Sequence, residues 1–327
     1  MQERITTENE RMEKEMAKYC FGIDVGGTSV KCGFFRTDGT LIEKWEIPTR
    51  TENNGSEILP DIAAAIKEKM NARQILKTDV QGVGIGIPGP INEAGEAACA
   101  VNLYWGFKPV AKELSELTGL SAKAGNDANV AALGEAWKGA AAGARSVIMI
   151  TLGTGVGGGI IIDQKIVCGH NGAAGEVGHA NMNHAETEPC NCGNCGCLEQ
   201  VASATGIVRV AKKMLESENT PSVLRECKSL SAKKVLDAYK DGDALAVQVM
   251  EFVGDQLGGA LGIFSCVVDP ETIVIGGGVS RAGQPLIDCI QKYYRKYAFT
   301  PSKDTPIVLA KLGNDAGIYG AARMVLD

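Results

Sequence analysis

The chain has 327 residues, 45% of them hydrophobic, and a formal net charge of -6. That length and composition exclude a peptide or a disordered tail and suit two domains of roughly 100 to 200 residues each. The acidic balance, with Lys and Arg scattered along the chain, argues against a nucleic-acid partner, which needs a basic patch.

Residues 1–18 are polar, carry both signs of charge and lack an apolar h-region. They are expected to form a flexible N-terminal extension and not a secretory signal or an Arg-rich transit peptide. The first element is a short apolar strand that breaks into Ile23-Asp24-Val25-Gly26-Gly27-Thr28-Ser29-Val30-Lys31. Gly26 and Gly27 remove side chains that would hold the backbone away from an anion, and Thr28 adds a hydroxyl donor beside their N–H groups. Asp24 suits a place near a nucleotide-bound metal, whereas Lys31 serves either phosphate charge or a solvated strand face. A tight hairpin turn requires the same glycines.

Asn126-Asp127 follows a short strand-like segment at Ala122-Lys123-Ala124 and precedes a helix expected over residues 128–142. An Asp there can cap the helix. It can also accept the proton of a hydroxyl attacking the terminal phosphorus of a nucleotide. Next comes a second copy of the first loop. Val147-Ile148-Met149-Ile150-Thr151-Leu152 runs into Gly153-Thr154-Gly155, then Gly157-Gly158-Gly159 and Ile160-Ile161-Ile162. Asp38-Gly39 and Asp163-Gln164 are placed to close the two hairpins. The repeat predicts a duplicated domain with two like-built phosphate loops. No Gly-x-x-x-x-Gly-Lys-Ser/Thr loop and no Rossmann fingerprint is present.

Cys190-x-Cys192-Gly193-x-Cys195-Gly196-Cys197 packs four thiols into eight residues, with His179 and His184 upstream. Glycines let such a loop turn several sulfurs toward one point, and soft thiolates with an imidazole describe a structural zinc site. Which of these residues complete the shell is open from spacing alone. The other cysteines, at 20, 32, 99, 168, 227, 266 and 289, are dispersed among small or apolar residues and are expected to be buried free thiols.

Residues 244–268 are strongly apolar but carry Glu251 and Asp255, a poor membrane span. Glycines at 254, 258, 259 and 262 are expected to let a buried helix pass close to a neighbour. Thr272-Ile273-Val274-Ile275 then breaks into a third Gly-rich turn, Gly276-Gly277-Gly278. With no targeting segment in view, the chain is expected to be soluble and cytoplasmic, with no membrane partner.

Five separated motifs together resemble the ROK family of sugar kinases and sugar-responsive repressors. They are Asp24-x-Gly26-Gly27-Thr28, Gly86-Ile87-Pro88-Gly89, Asn126-Asp127, the Ile150 to Gly178-His179 segment, and Cys190-x-Cys192-Gly193-x-x-Gly196-Cys197-x-Glu199. The resemblance covers nearly all of the chain after residue 19. It implies an α/β protein with the actin-like ATPase (ribonuclease H-like) fold, two α/β domains around a nucleotide and sugar cleft. Residues 19–122 with 311–327 would form the small domain, a helix near 314–326 returning to it, and 123–310 the large one.

The resemblance also implies roles. Asp127 would be the general base for the sugar O6 hydroxyl, and Asp24 would orient Mg2+ through its water shell. The backbones of Gly26, Gly27 and Thr28 and of Gly153, Thr154 and Gly155 would hold the phosphates of ATP, with Lys31 and Gly276, Gly277 and Gly278 as further nucleotide-binding positions. Asn126 and Asp127 would bind the O4/O6 end of the sugar, and Glu176, His179 and Glu199 the other end. Gly89 would admit the ring to the backbone, and Asn102 is a further candidate. The zinc ligands would be His179, Cys190, Cys192 and Cys197, with Cys195 a bystander and His184 a competitor for His179. Glucose is the expected substrate; fructose, mannose, N-acetylglucosamine or N-acetylmannosamine are the alternatives, as is a non-catalytic sugar sensor. The 18 residues ahead of Tyr19 are too few for the helix-turn-helix domain of the repressor branch. A homodimer or homotetramer is also implied.

Overall fold

The computed structural model describes residues 17–326, so all but the last two residues of the expected N-terminal extension lie outside it. The chain forms two compact units. One comprises the described residues up to Gly134, His170–Gly172 and those from Asp315 onward; the other comprises Glu135–Gly169 and Ala173–Asn314.

In the first unit, Tyr19–Val25 (β1), Ser29–Arg36 (β2) and Leu41–Pro48 (β3) form an antiparallel meander. Val80–Ile87 (β4) and Ala122–Asn126 (β5) add in parallel, giving the order β3-β2-β1-β4-β5. Alternation divides β1 between the two faces of the sheet. Phe21, Ile23 and Val25 join a core with Ile58–Ala72 (α1) and Val110–Thr118 (α2). Gly22 and Asp24 point the other way, toward Ala316–Met324 (α8). That helix lies so close to the sheet that a Cβ on Gly22 would fall 1.9 Å from the Ile318 carbonyl oxygen, and one on Gly84 1.7 Å from that of Ala321.

The second unit repeats the plan. Val147–Leu152 (β6), Val156–Ile162 (β7) and Lys165–Ile166 (β8) are antiparallel, and Thr272–Gly276 (β9) and Ile307–Leu309 (β10) add in parallel, in the order β10-β9-β6-β7-β8. Read from the third strand of each meander, the two sheets have one topology, the duplication expected from the repeated Gly/Thr turn. Helices Ala204–Ser217 (α4), Ala232–Lys240 (α5), Ala244–Val268 (α6) and Gln284–Tyr297 (α7) complete the unit. α6 is long and apolar enough to cross a membrane by length and composition. Leu245, Val249, Val253, Leu257 and Leu261 along it are nevertheless buried in the core. Its glycines admit α7: Cβ atoms on Gly254 and Gly258 would fall 2.5 Å from Cys289 Sγ and 2.6 Å from Tyr293 Cβ.

Three expectations change. The domain boundaries move from 122/123 and 310/311 to 134/135 and 314/315. β5 is hydrogen-bonded to β4, which keeps it in the first unit, and Glu135 binds the backbone of Lys311 and Leu312, which keeps those residues in the second. The helix expected over 128–142 is Asp127–Lys138 (α3). It stops there because the Glu135 carboxylate folds back onto the Ala140 N–H at 2.6 Å across Gly139. Of the seven dispersed cysteines, Cys20, Cys32 and Cys289 are buried; Cys99 and Cys266 are exposed and Cys168 and Cys227 partly so. Burial pushes the Cys20 and Cys32 thiols up to about 12 and Cys289 to about 11.

Candidate active site and metal cluster

The first Gly-rich turn joins β1 to β2. Val25 pairs with Val30, and the Gly26 N–H donates to the Ser29 carbonyl at 3.0 Å. The hairpin and phosphate-loop readings are thus compatible: the turn is tight, and the position of a Cβ on Gly27 is open space. Thr49 fixes the turn from outside, its Oγ1 donating to the Gly26 carbonyl at 2.7 Å and its N–H to the Thr28 carbonyl at 3.0 Å.

Asp24 sits opposite Lys31 in the β1–β2 register and under the first turn of α8, where a Cβ on Gly317 would fall 2.5 Å from its Cγ. Burial raises its pKa to about 6, Lys31 pulling down and Asp127 pushing up. The carboxyl is therefore mostly ionised at neutral pH, and hard oxygen donors of this kind suit magnesium.

Asn126 ends β5 and Asp127 begins α3. Capping falls chiefly to Asn126, whose Oδ1 accepts from Ala128 N at 3.0 Å and Asn129 N at 3.1 Å. Its amide Nδ2 donates to the Gly89 carbonyl at 3.1 Å, so two motifs 37 residues apart meet. Asp127 Oδ1 accepts from Ala128 N at 2.8 Å, which orients the carboxylate at the positive end of the helix. Gly89 has φ +105°, and a Cβ there would lie 2.6 Å from the Cys99 carbonyl oxygen, so only glycine is tolerated. Asn102 lies exposed in the turn Val101–Leu103.

In the second unit Gly153-Thr154-Gly155 joins β6 to β7 as the first turn joins β1 to β2, the Gly153 N–H donating to the Gly155 carbonyl at 3.0 Å. The turn is tied to the start of α4: Ala204 N donates to the Gly153 carbonyl and Thr205 Oγ1 to the Thr154 carbonyl, both at 2.8 Å. Gly276-Gly277-Gly278 ends β9 beside it. Gly277 has φ +83°, and a Cβ would fall 2.5 Å from the Leu152 carbonyl oxygen. A cavity of about 390 Å³ opens beyond these turns, lined by Ala204, Leu236, Gly278, Val279 and Ala282 with Lys233 and Arg281 among its polar residues. Of its lining only Gly278 belongs to a motif legible in the sequence; the walls from α4 and α5 carry no local pattern that marks them.

The metal candidates converge. One ligand atom from each of His179, Cys190, Cys192 and Cys197 lies within 4.8 Å of the others. Cys192 and Cys197 sulfurs are 3.6 Å apart, and Cys190 Sγ is 3.8 Å from His179 Nδ1. A tetrahedral zinc with bonds of about 2.3 Å to sulfur has ligand–ligand edges of about 3.8 Å, so the donor set fits that ion. Cys195 is outside, its thiol donating to the Thr187 carbonyl at 3.5 Å, and His184 is not in the group. Burial raises the Cys190 and Cys197 thiols, while the Asn194 N–H lowers Cys192. The loop is pinned to α4 by Arg209, which binds Glu186 at 2.6 Å and, through Nε, Glu188 at 2.8 Å. These three residues were not among the sequence candidates, since nothing in their local pattern separates them from surface charges.

Glu176, His179 and Glu199 flank the cluster. Val177–His179 is a short 3-10 turn. His179 Nε2 faces Glu176 Oε2 at 3.9 Å, and Nδ1 lies 4.0 Å from Glu199 Oε1. Glu199 Oε1 accepts from the Cys190 thiol at 2.9 Å, and Oε2 accepts from Val156 N at 3.4 Å, next to Gly155.

The ROK family model matches residues 20–327. A glucokinase of Halalkalibacterium halodurans is 42% identical, covering 94% of this chain and 95% of the relative. Among solved structures, a ROK hexokinase from Thermus thermophilus matches with a TM-score of 0.78 and 28% identity over 93% of this chain and 96% of its own. A ROK family glucokinase from Streptomyces griseus, in complex with glucose and AMPPNP, matches with a TM-score of 0.71 and 32% identity over 94% and 98%. The repeated sheets accordingly have the actin-like ATPase fold. With its two Gly-rich hairpins, its Asn-Asp helix start and its His/Cys cluster in one chain, the protein belongs to the ROK family.

Proposed function

We propose that this protein is an ATP-dependent glucokinase that transfers the γ-phosphoryl group of ATP to the O6 hydroxyl of glucose. The observation that carries the reading is the start of α3. Asn126 Oδ1 takes the Ala128 and Asn129 N–H groups as the chief cap, and the Asp127 carboxylate is oriented at the helix start by Ala128 N. Asp127 accepts the proton of the attacking hydroxyl as the O–P bond forms, a step in which positioning and charge neutralisation supply most of the acceleration.

The open backbones of Gly26, Gly27 and Thr28 and of Gly153, Thr154 and Gly155 hold phosphate oxygens. The cavity beyond Gly278 takes the nucleoside, its apolar walls suiting a purine face. Asp24 would orient magnesium through its water shell, and that ion would neutralise phosphate charge; Lys31 adds to that field. Asn126 and Asp127 bind the O4/O6 end of the sugar and the Gly89 backbone its ring, while Glu176, His179 Nε2 and Glu199 bind the opposite hydroxyls. His179 Nδ1, Cys190, Cys192 and Cys197 would hold a structural zinc ion, which would fix the loop carrying these sugar ligands. By likeness to its family the protein works in the cytoplasm as a homodimer or homotetramer.

A coupled assay of ADP release with magnesium-ATP tests the reading across glucose, fructose, mannose, N-acetylglucosamine and N-acetylmannosamine, with Asp127→Asn as control. The expected result is a dominant kcat/KM for glucose that vanishes in the control. Dominance of another sugar would change the substrate and keep the base; silence across the panel would favour a sugar-sensing protein.

A further inference from the structure

Glu135 is a fully buried carboxylate, and none of the ion pairs found among the described residues includes it. Instead its oxygens are taken up by three backbone N–H groups: Ala140 at 2.6 Å and Lys311 at 3.1 Å on Oε2, and Leu312 at 2.7 Å on Oε1. A buried charge without a counter-ion is costly unless its lone pairs are met, and backbone donors meet these. Gly139 makes room, since a Cβ there would fall 1.9 Å from Oε2.

The location gives the contact its meaning. The chain passes from the first unit to the second between Gly134 and Glu135, inside α3, and returns between Asn314 and Asp315. Glu135 therefore ties the residue just after the outgoing crossing to the residues just before the return crossing. The tied segment is itself anchored in the second sheet, because Ala310 N donates to the Ile275 carbonyl of β9 at 2.9 Å, directly before the Gly276 turn. Gly313, with φ +55°, then opens the turn that leads out. The first unit grips the same two chain segments by steric means: a Cβ on Gly134 would fall 2.2 Å from the Ala316 carbonyl oxygen, and one on Gly320 1.7 Å from that of Val130.

Asp127 lies eight positions before Glu135 on the same helix, about 12 Å along its axis. We propose that Glu135 is a positioning residue for phosphoryl transfer, its carboxylate locking the C-terminal half of the helix that carries Asp127 to the Lys311–Leu312 segment. A misplacement of about 1 Å at a reacting centre costs turnover without costing ground-state affinity. An apolar residue would leave the Lys311 and Leu312 N–H groups unmet, and Gln offers one acceptor oxygen where the carboxylate offers two. The inference rests on Asp127 acting as the base.

Two measurements test it. In the wild-type protein, hydrogen exchange resolved at Lys311 and Leu312 should be strongly slowed relative to Gly313, and exchange as fast as at Gly313 would overturn the lock whatever the enzyme's substrate. Glu135→Gln should keep its secondary structure and bind glucose and a non-hydrolysable ATP analogue within about twofold of wild type, while kcat falls at least tenfold. If that variant does not fold, Glu135→Asp, which keeps the charge but not the reach, should show the same split. Wild-type kcat in a folded variant would overturn the proposal, as would parallel loss of kcat, both affinities and thermal stability, the signature of a merely structural role. Absence of hexose turnover in the wild type would instead sink the kinase reading, leaving the exchange result to report on the lock.

Discussion

Glu199 accepts a hydrogen bond from the Cys190 thiol at 2.9 Å with one carboxylate oxygen, while its other oxygen lies 3.4 Å from the Val156 N–H at the edge of the second Gly-rich turn. One side chain thus links the metal cluster to a phosphate-loop candidate, and the space is tight: a Cβ on Gly155 would fall 2.6 Å from that second oxygen.

Metal loss should therefore be felt in two places. Cys192 is the exposed member of the cluster, so Cys192→Ser costs little packing. It is expected to lower zinc content and weaken glucose binding on the order of ten- to a hundredfold, and to raise the KM for ATP as Glu199 loses its anchor. Metal analysis with calorimetric titration of glucose checks this; zinc-free protein with wild-type glucose affinity would separate the metal from the sugar site.

Asp127→Asn should cost on the order of 10²- to 10⁴-fold in kcat with sugar binding retained. Because Asn126 supplies the cap, the melting temperature should stay near wild type. A variant with wild-type turnover and a lowered melting temperature would return Asp127 to the role of helix cap.

Gly153 and Gly277 should respond in opposite ways. A Cβ on Gly153 meets only the Gly155 carbonyl oxygen, at 4.0 Å, and its φ is ordinary. Gly153→Val is expected to fold normally and raise the KM for ATP at least tenfold by obstructing phosphate approach. Gly277→Ala, at φ +83° against the Leu152 backbone, should cost on the order of 1–3 kcal/mol of stability. An unchanged nucleotide KM in Gly153→Val would reduce its loop to a hairpin connection.

Asp24 gives a pH test. Its carboxyl is raised from 3.8 to about 6 by burial, so folding favours the protonated form. The penalty is absent below the unfolded value, grows as pH rises from about 4 to 6, and is complete above that, amounting to about 3 kcal/mol. Asp24→Asn should thus be more stable than the wild type at pH 8 by up to about 3 kcal/mol, with the gap closing at pH 4, and should lose activity. Urea titrations of both proteins at the two pH values measure the gap; a gap independent of pH would show that the Asp24 carboxylate is not strained by burial.

Local chemistry made much of this site legible. The Gly/Thr breaks after apolar runs located both hairpin turns, and the clustered thiols pointed to a group of side chains able to hold a metal, because backbone freedom and ligand softness are properties of short segments. The assignment of Cys195 as bystander followed from the family pattern and agrees with its place outside the cluster. Burial was less legible. Cys99 and Cys266 have apolar neighbours in sequence yet reach the surface, since exposure depends on what another element covers.

The repeated strand–turn–strand plan and the residues able to carry phosphate, sugar and metal chemistry are written in the order of residues, since each depends on side chains a few positions apart. Long-range packing was needed to show that Asn126 is the chief cap of α3, that Glu199 joins the His/Cys cluster to the second turn, and that α3 ends at Lys138. Glu135 shows why. Its partners at 311 and 312 are more than 170 positions away and are backbone N–H groups, which every residue but proline possesses and no sequence motif can mark.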